Sequence, residues 1–216
     1  MTVAKLKFDI SMSLDGYIAG PDAGREHPLG KGGEALHEWA YDLRSFNETH
    51  GRAAQGETGA DDDVLAEAST SYGAAIMGKR MFCGEDGPWG GEPFEGWWGD
   101  EPPFKAPVFV LTNHAREALE KGDTRFEFVT DGIESALERA RDAAGEDDVQ
   151  ISGGAKVAQQ YLAAGLLDEI QIHIVPILLG GGTRLFAVSV TALKRMEITR
   201  TVEGANVTHV RYETRR

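Results

Sequence analysis

Short apolar runs that stop at turn residues and give way to helix-patterned stretches recur along this chain. That alternation constrains the fold more than any other feature. Ala74–Met77, Pro107–Thr112 and Val149–Ile151 are too short for amphipathic helices, and Gly, Ser, Asn or Pro bounds each run. Buried strands have this character. Leu6, Phe8, Ile10 and Met12 alternate with polar residues, the period of a strand with two unlike faces. Phe126–Thr130 is a further strand. Between the strands, Ile133–Ala144 sets Ile133, Ala136, Leu137 and Ala140 on one helical face, and Lys156–Ala164 is helical up to Gly165. Helical spacing is also predicted over Glu34–Phe46 and Val64–Tyr72, and one strand over Glu169–Leu179. Glu197–Val202 and Asn206–Glu213 predict an antiparallel C-terminal hairpin. The fold class is therefore α/β, a three-layer α/β/α arrangement with a mostly parallel central sheet. No repeat or linker divides the 216 residues, so 1–216 reads as a single domain.

Charge and cysteine content remove several functions. The chain carries 22 basic and 35 acidic residues, net −13. Such a surface repels nucleic acid, and a phosphate-bearing ligand would need local donors to overcome the field. No apolar run approaches a membrane span, and the N-terminus leads into a strand pattern; no membrane partner and a cytoplasmic location are expected. Cys83 is the single cysteine, which suits a reducing compartment and a packing role. No Cys and His set has zinc spacing, so no metal is expected.

Two segments have the grammar of a phosphate site: strand, glycine, then helix or cations. In Val149-Gln150-Ile151-Ser152-Gly153-Gly154-Ala155-Lys156 the glycines permit close backbone approach, and the following helix offers unpaired N–H groups. A tight βα turn explains the same residues. In Ala75-Ile76-Met77-Gly78-Lys79-Arg80 two cations follow a strand end directly, either as an anion site or as a solvated pair. At a third strand end, Thr112, Asn113 and Arg116 are suited either to a ribose phosphate or to a surface turn. The segment from Gly84 to Phe104 is long, rich in Gly and Pro, and holds Trp89, Trp97 and Trp98. Those indoles either stack on a flat substrate or anchor the loop. His173, between Ile172 and Ile174, reads as structural or interfacial.

Together these segments resemble the dihydrofolate reductase superfamily, and in particular the reductase domain of riboflavin biosynthesis, the RibD C-terminal domain. SMSLDGYIAG (Ser11–Gly20), AAIMGKRMF (Ala74–Phe82), PVFVLTN (Pro107–Asn113) and the stretch ISGGAKVAQQYLAAGLLDEIQIHIVPILLGGGTRLF (Ile151–Phe186) match in order. The resemblance implies a dihydrofolate reductase-like fold and NADPH as cofactor. Hydride transfer would go to a small heterocycle, either a pterin or a 5-amino-6-(5-phosphoribosylamino)uracil-like pyrimidine. It implies that Gly78, Lys79 and Arg80 flank the cofactor phosphates. Thr112, Asn113 and Arg116 would face the 2′-phosphate, and Ser152, Gly153, Gly154 and Ala155 the pyrophosphate. Asp15, Gly16, Ile18 and Ala19 would border the nicotinamide. Asp15 and Asp62 are the candidate acids, and Trp89, Trp97 and Trp98 the candidate substrate contacts. A homodimer follows from the family, with Glu169–Leu179 and the terminal strands available to pair. Two departures stand out: Ser152 takes the place of an acid before the glycine pair, and the tryptophan loop is foreign to folate reductases. The alternatives are reduction of another small carbonyl or imine, and a nonenzymatic NADPH- or antifolate-binding protein.

Overall fold

A computed structural model describes residues 4–90, 94–186 and 195–215. In chain order the elements are β1 (Leu6–Ser13), β2 (Tyr17–Ala19), a 3-10 turn (Gly33–Leu36), α1 (Glu38–Tyr41), α2 (Arg44–Thr49), α3 (Ala60–Thr70), β3 (Tyr72–Gly78), α4 (Lys79–Cys83), β4 (Val108–Leu111), β5 (Leu119–Lys121), β6 (Thr124–Val129), α5 (Ile133–Ala144), β7 (Asp148–Ile151), α6 (Ala155–Ala164), β8 (Glu169–Val175), β9 (Thr183–Arg184), β10 (Met196–Glu203) and β11 (Thr208–Thr214). Nine strands form one sheet in the order β10-β11-β8-β1-β7-β3-β4-β6-β5. The six inner strands from β8 to β6 run parallel. The C-terminal hairpin adds to one end and the β5–β6 hairpin to the other, both antiparallel. β2 and β9 pair in a small separate ribbon.

One face of the sheet follows simple patterning. Leu6 and Phe8 of β1, Ala74 and Ile76 of β3, and Val149 and Ile151 of β7 all point to it, as the parallel register requires. The apolar stripes of α5 and α6 cover them, with Ala136, Leu137, Ala140, Val157 and Tyr161 buried. The buried Tyr161 hydroxyl donates to the Ile133 carbonyl at 2.7 Å, so the ring enters the core without an orphaned polar atom.

The opposite face is divided. Over β3, β4 and β6 it is apolar: Ala75, Met77, Val108, Val110 and Phe126 are buried beneath α4 and the tryptophan loop. Over β1, β8 and β11 it is polar: Asp9 and Ser11 stand beside Gln171 and His173, and these beside Arg211 and His209. Segments α1–α3 cover this half.

Three expectations change. The predicted helix Glu34–Phe46 is a 3-10 turn and two short helices, because Leu43 is extended (φ −75°, ψ 146°) and the flanking Asp42 carbonyl and Arg44 N–H bond to Glu57. The predicted helix Val64–Tyr72 starts earlier, at Ala60, and stops at Thr70, since Tyr72 already belongs to β3. The predicted strand Glu169–Leu179 ends at Val175, before Pro176, and both its edges are taken by β1 and β11. It therefore has no free edge to offer a second copy; β10 is the open edge at that end of the sheet.

Candidate functional site

Parallel strands put their carboxyl ends on one rim, where helices begin and ligands of open α/β sheets are held. Here β3 and β7 are neighbours, so their two glycine turns meet. The Gly78 N–H donates to the Gly153 carbonyl at 3.0 Å, and the Ser152 N–H to the Ile76 carbonyl at 2.8 Å. Gly153 has φ 125°, which disfavours a side chain, and a Cβ there would sit 3.1 Å from Met81 Sδ. Gly154 is extended and opens α6; a Cβ added to it meets no described atom within 4 Å. This ten-residue helix begins with no side-chain cap on its first N–H groups. Ala155 is buried beside them.

The cations sort into two groups. Arg80 and Lys156 are exposed, and both approach the Asp86 carboxylate, at 3.8 and 4.0 Å. Arg80 also donates to the Ala23 carbonyl at 2.8 Å. Lys156 was not singled out in the sequence; its position in the first turn of α6 is the signal that marks it. Lys79 and Arg116 are instead built into the tryptophan loop. The Lys79 ammonium donates to the Glu85 carbonyl at 3.1 Å and lies 4.4 Å from the Trp89 ring. The Arg116 guanidinium lies 5.0 Å from the rings of Trp89 and Phe128 and donates to the Phe94 carbonyl at 2.7 Å. Burial pushes its pKa down from the usual arginine value. Thr112 closes its own turn, its Oγ accepting from the His114 N–H at 3.1 Å, and Asn113 is exposed beside it.

The three indoles act as loop anchors. Trp89 donates to the His114 carbonyl at 2.7 Å, and Trp97 to the Met81 carbonyl at 2.8 Å. Trp98 stacks on Phe126 with ring centres 6.0 Å apart and meets Phe104 edge-on at 4.9 Å. Trp89 and Trp98 pack against the second core, and Trp97 meets Phe94 edge-on at 4.8 Å.

Neither candidate acid is placed as a free proton donor. Asp15 Oδ1 accepts from the Ser13 hydroxyl at 2.6 Å and the Leu179 N–H at 3.1 Å, and Oδ2 from the Gly180 N–H at 2.7 Å. The Ser13 hydroxyl first, then the Gly180 and Leu179 amides, holds its carboxyl below the usual carboxylate range. Asp15 thus ties the β1–β2 turn, with Gly16, to the backbone at Leu179 and Gly180, beyond the end of β8. Ile18 and Ala19 continue from it into β2, where Ala19 pairs with Thr183. Asp62 is buried on α3 and accepts from the Ser45 N–H at 2.8 Å, satisfying the first turn of α2. Because the folded pKa of Asp15 is lowered, its contribution to stability is present above the unfolded value of about 3.9 and is lost as pH falls through the folded one. Denaturation midpoints of native protein and Asp15→Asn, measured from pH 7 to pH 3, are expected to differ at the neutral end and converge at the acid end. A constant gap would show that the ionised carboxylate is not what holds the turn.

Sequence reasoning missed one buried polar cluster, in which Asp9, His173, His209 and Asp61 are linked end to end. Only the register of β1, β8 and β11 brings these residues together.

A mostly parallel sheet with an antiparallel C-terminal hairpin, helices on its faces and two glycine turns meeting on the carboxyl rim defines a dihydrofolate reductase-like α/β protein. Comparison with solved structures agrees. A protein assigned to riboflavin biosynthesis from Shewanella sp. PV-4 superposes with a TM-score of 0.62 at 22% identity, covering 98% of this chain and 99% of that one. The dihydrofolate reductase of Enterococcus faecalis, solved with NADP(H), gives 0.55 at 13%, covering 98% and 97%. The Thermotoga maritima diaminohydroxyphosphoribosylaminopyrimidine deaminase/5-amino-6-(5-phosphoribosylamino)uracil reductase gives 0.56 at 18%, covering 98% of this chain but 56% of that one. No curated protein matches by sequence. The model of the RibD C-terminal domain matches residues 4–210, and the chain belongs to that family. The family is one of reductase domains, which makes the chain an oxidoreductase.

Proposed function

We propose that the protein is an NADPH-dependent reductase that delivers hydride to a small heterocycle, of the pyrimidine type reduced in riboflavin biosynthesis. The observation that carries this reading is the meeting of the Gly78 and Gly153-Gly154 turns at the start of α6. An added side chain at Gly154 would meet open space, α6 starts there without a side-chain cap, and Arg80 and Lys156, both near Asp86, would supply the local positive charge an acidic chain needs. Bound NADPH would supply the hydride. The chain would supply binding and orientation: Ser152–Ala155 and α6 toward the pyrophosphate, Gly78 and Arg80 beside it, Thr112 and Asn113 on the adjoining rim, and Gly16, Ile18 and Ala19 toward the nicotinamide.

In this reading Lys79, Arg116 and the three tryptophans shape the rim without touching ligand, because Lys79, Arg116, Trp89 and Trp97 are hydrogen-bonded within the protein and Trp98 packs on Phe126 and Phe104. Asp15 and Asp62 are positioning residues, being tied as acceptors, and the proton that accompanies the hydride comes from water. A cytoplasmic homodimer is part of the proposal, and sedimentation velocity checks the dimer. Among the described residues no helix is long and apolar enough to cross a membrane.

Cofactor fluorescence on adding protein to NADPH tests binding, and loss of its absorbance with dihydrofolate and with 5-amino-6-(5-phosphoribosylamino)uracil tests turnover. Binding with turnover of the pyrimidine is expected. Binding without turnover across a wider carbonyl and imine panel would leave a carrier rather than an enzyme. Asp86 supplies a sharper test, because its carboxylate sits where Arg80 and Lys156 converge. Removing one partner of a charge-assisted contact is worth about 1.5–3 kcal/mol, so Arg80→Ala and Lys156→Ala are each expected to weaken NADPH binding by about ten- to a hundredfold. Asp86→Asn is expected to tighten it. Unchanged affinity in all three would move the phosphates elsewhere.

A further inference from the structure

On the polar half of the sheet, four titratable side chains from four segments join into one line. Asp9 Oδ1 lies 2.7 Å from His173 Nε2, His173 Nδ1 lies 2.6 Å from His209 Nδ1, and His209 Nε2 lies 3.0 Å from Asp61 Oδ1. The imidazoles are 2% and 1% exposed. Trp39 closes over both rings, at 4.8 and 5.1 Å, and its indole N–H donates to Ser11 Oγ at 3.0 Å. The far end is fixed as well: Asp61 Oδ2 accepts from the Ala205 N–H at 3.2 Å, and Gly204 packs so closely that a Cβ there would overlap the Asp61 carboxylate.

Counting protons decides what this line can be. An ionised carboxylate only accepts, so each Nε2 must carry a hydrogen. That uses the one N–H of each neutral ring and leaves two lone pairs facing each other at 2.6 Å. A third proton, between the two Nδ1 atoms, turns that repulsion into a hydrogen bond. A fourth sets two N–H groups against each other. Three protons on the two rings is the count that satisfies all three contacts. It places one imidazolium charge between two carboxylates, which is how a buried charge is tolerated.

We propose that His173 and His209 share one bridging proton, and that uptake of the next one releases α3 from the sheet, so the pair is an acid-sensitive clamp on the helical layer that covers β1, β8 and β11. It needs no part of the reductase reading. Charged and titratable groups face the pair from the elements packed against it. From the sheet, Asp9 faces it, and Gln171, two residues from His173, accepts from Arg211, which is itself held by Glu67 and Glu169. From α3, Asp61 faces it. At the start of α1, burial and then the His173 charge push His37 down to about 4, so His37 stays neutral through the relevant range. Burial also pushes His209 down, against the hydrogen bond its Nε2–H donates to Asp61.

The sign follows. Below about pH 6.5 each unfolded imidazole takes a proton, two for the pair, while the folded pair keeps one. Stability is therefore expected to fall as pH drops from about 6.5 to 5, with the unfolding equilibrium gaining up to about tenfold per pH unit from this pair.

Nitrogen-15 and proton NMR of histidine-labelled native protein at pH 7.5 tests the count directly. The expected result is protonated Nε2 on both rings and a single low-field proton coupled to the Nδ1 atoms. Two neutral rings without a bridging proton would overturn the proposal. Denaturation of native protein and of His173→Gln/His209→Gln between pH 6.5 and 5 tests the consequence. The double variant is expected to lose the slope of one proton, while His27→Gln, at an exposed site, keeps it. An unchanged slope in the double variant would also overturn the clamp. If that variant does not fold, hydrogen exchange on native protein decides: α3 amides are expected to lose protection between pH 7 and 5, after correction for intrinsic rates, ahead of those of β3. Equal protection loss in both elements would contradict it.

Discussion

Gly182→Ala is expected to lower the unfolding temperature by about 6–20 °C. Gly182 has φ 117°, and an added Cβ would overlap the Ala19 carbonyl oxygen and lie 2.6 Å from the Gly20 carbonyl carbon. Those atoms are backbone and cannot rotate away. Gly20 is itself wedged against Gly30 and Lys31, where a Cβ on either glycine would overlap the other segment's carbonyl. Three stretches of chain thus stack backbone to backbone beside β2, the strand that carries Ile18 and Ala19. Collision plus a strained conformation costs about 3–5 kcal/mol, and about 2–4 °C accompanies each kcal/mol in a chain of this size. Calorimetry measures it. A drop under about 2 °C would show that the segments can separate without loss.

Phe82→Ala is expected to cost about 3–5 kcal/mol, the range for deleting a buried aromatic ring. Phe82 is fully buried and is the hub of the second core: its ring meets Trp89, Phe126 and Phe128 edge-on at 6.1, 5.2 and 5.4 Å and Trp98 at 6.4 Å. It also sits in α4, two residues after Arg80. Removing it is expected to loosen the loop from the sheet, shift tryptophan emission to the red and weaken NADPH binding together, while Phe82→Leu restores most of the stability. Tryptophan emission unchanged in Phe82→Ala would mean that the loop does not depend on this core.

The parts of the structure legible in the sequence are those decided within a few residues. Ile133–Ala144 has the bounds its apolar stripe implies, and the runs ending at Gly78 and Ser152 are strands because nothing but burial on both faces explains them. Four motifs in order were enough for the family. What stayed hidden was decided at long range. The helical spacing of Glu34–Phe46 is real, yet Glu57 pulls the chain open at Leu43. The tryptophans read equally as substrate platform or anchor until Phe126 and Phe128 of β6 were placed beneath them. Lys79 and Arg116 look like phosphate ligands by position, and only the fold shows that aromatic rings hold them. Asp15 and Asp62 carry the charge of an acid but not the freedom of one, since their acceptor bonds reach Gly180 and Ser45. The His173–His209 pair lies 36 residues apart in sequence, and its outer partners, Asp9 and Asp61, come from elements with no local link to it.

The central claim is that one dinucleotide spans the turns at Gly78 and Gly153-Gly154. Backbone amide resonances followed during titration with NADPH test it most directly. The amides of Gly78, Gly154, Ala155 and Lys156 are expected to shift together and saturate at one common concentration, with those at the α5 surface around Glu134–Asp142 unmoved. Shifts confined to other regions, or two turns that respond at different concentrations, would contradict it.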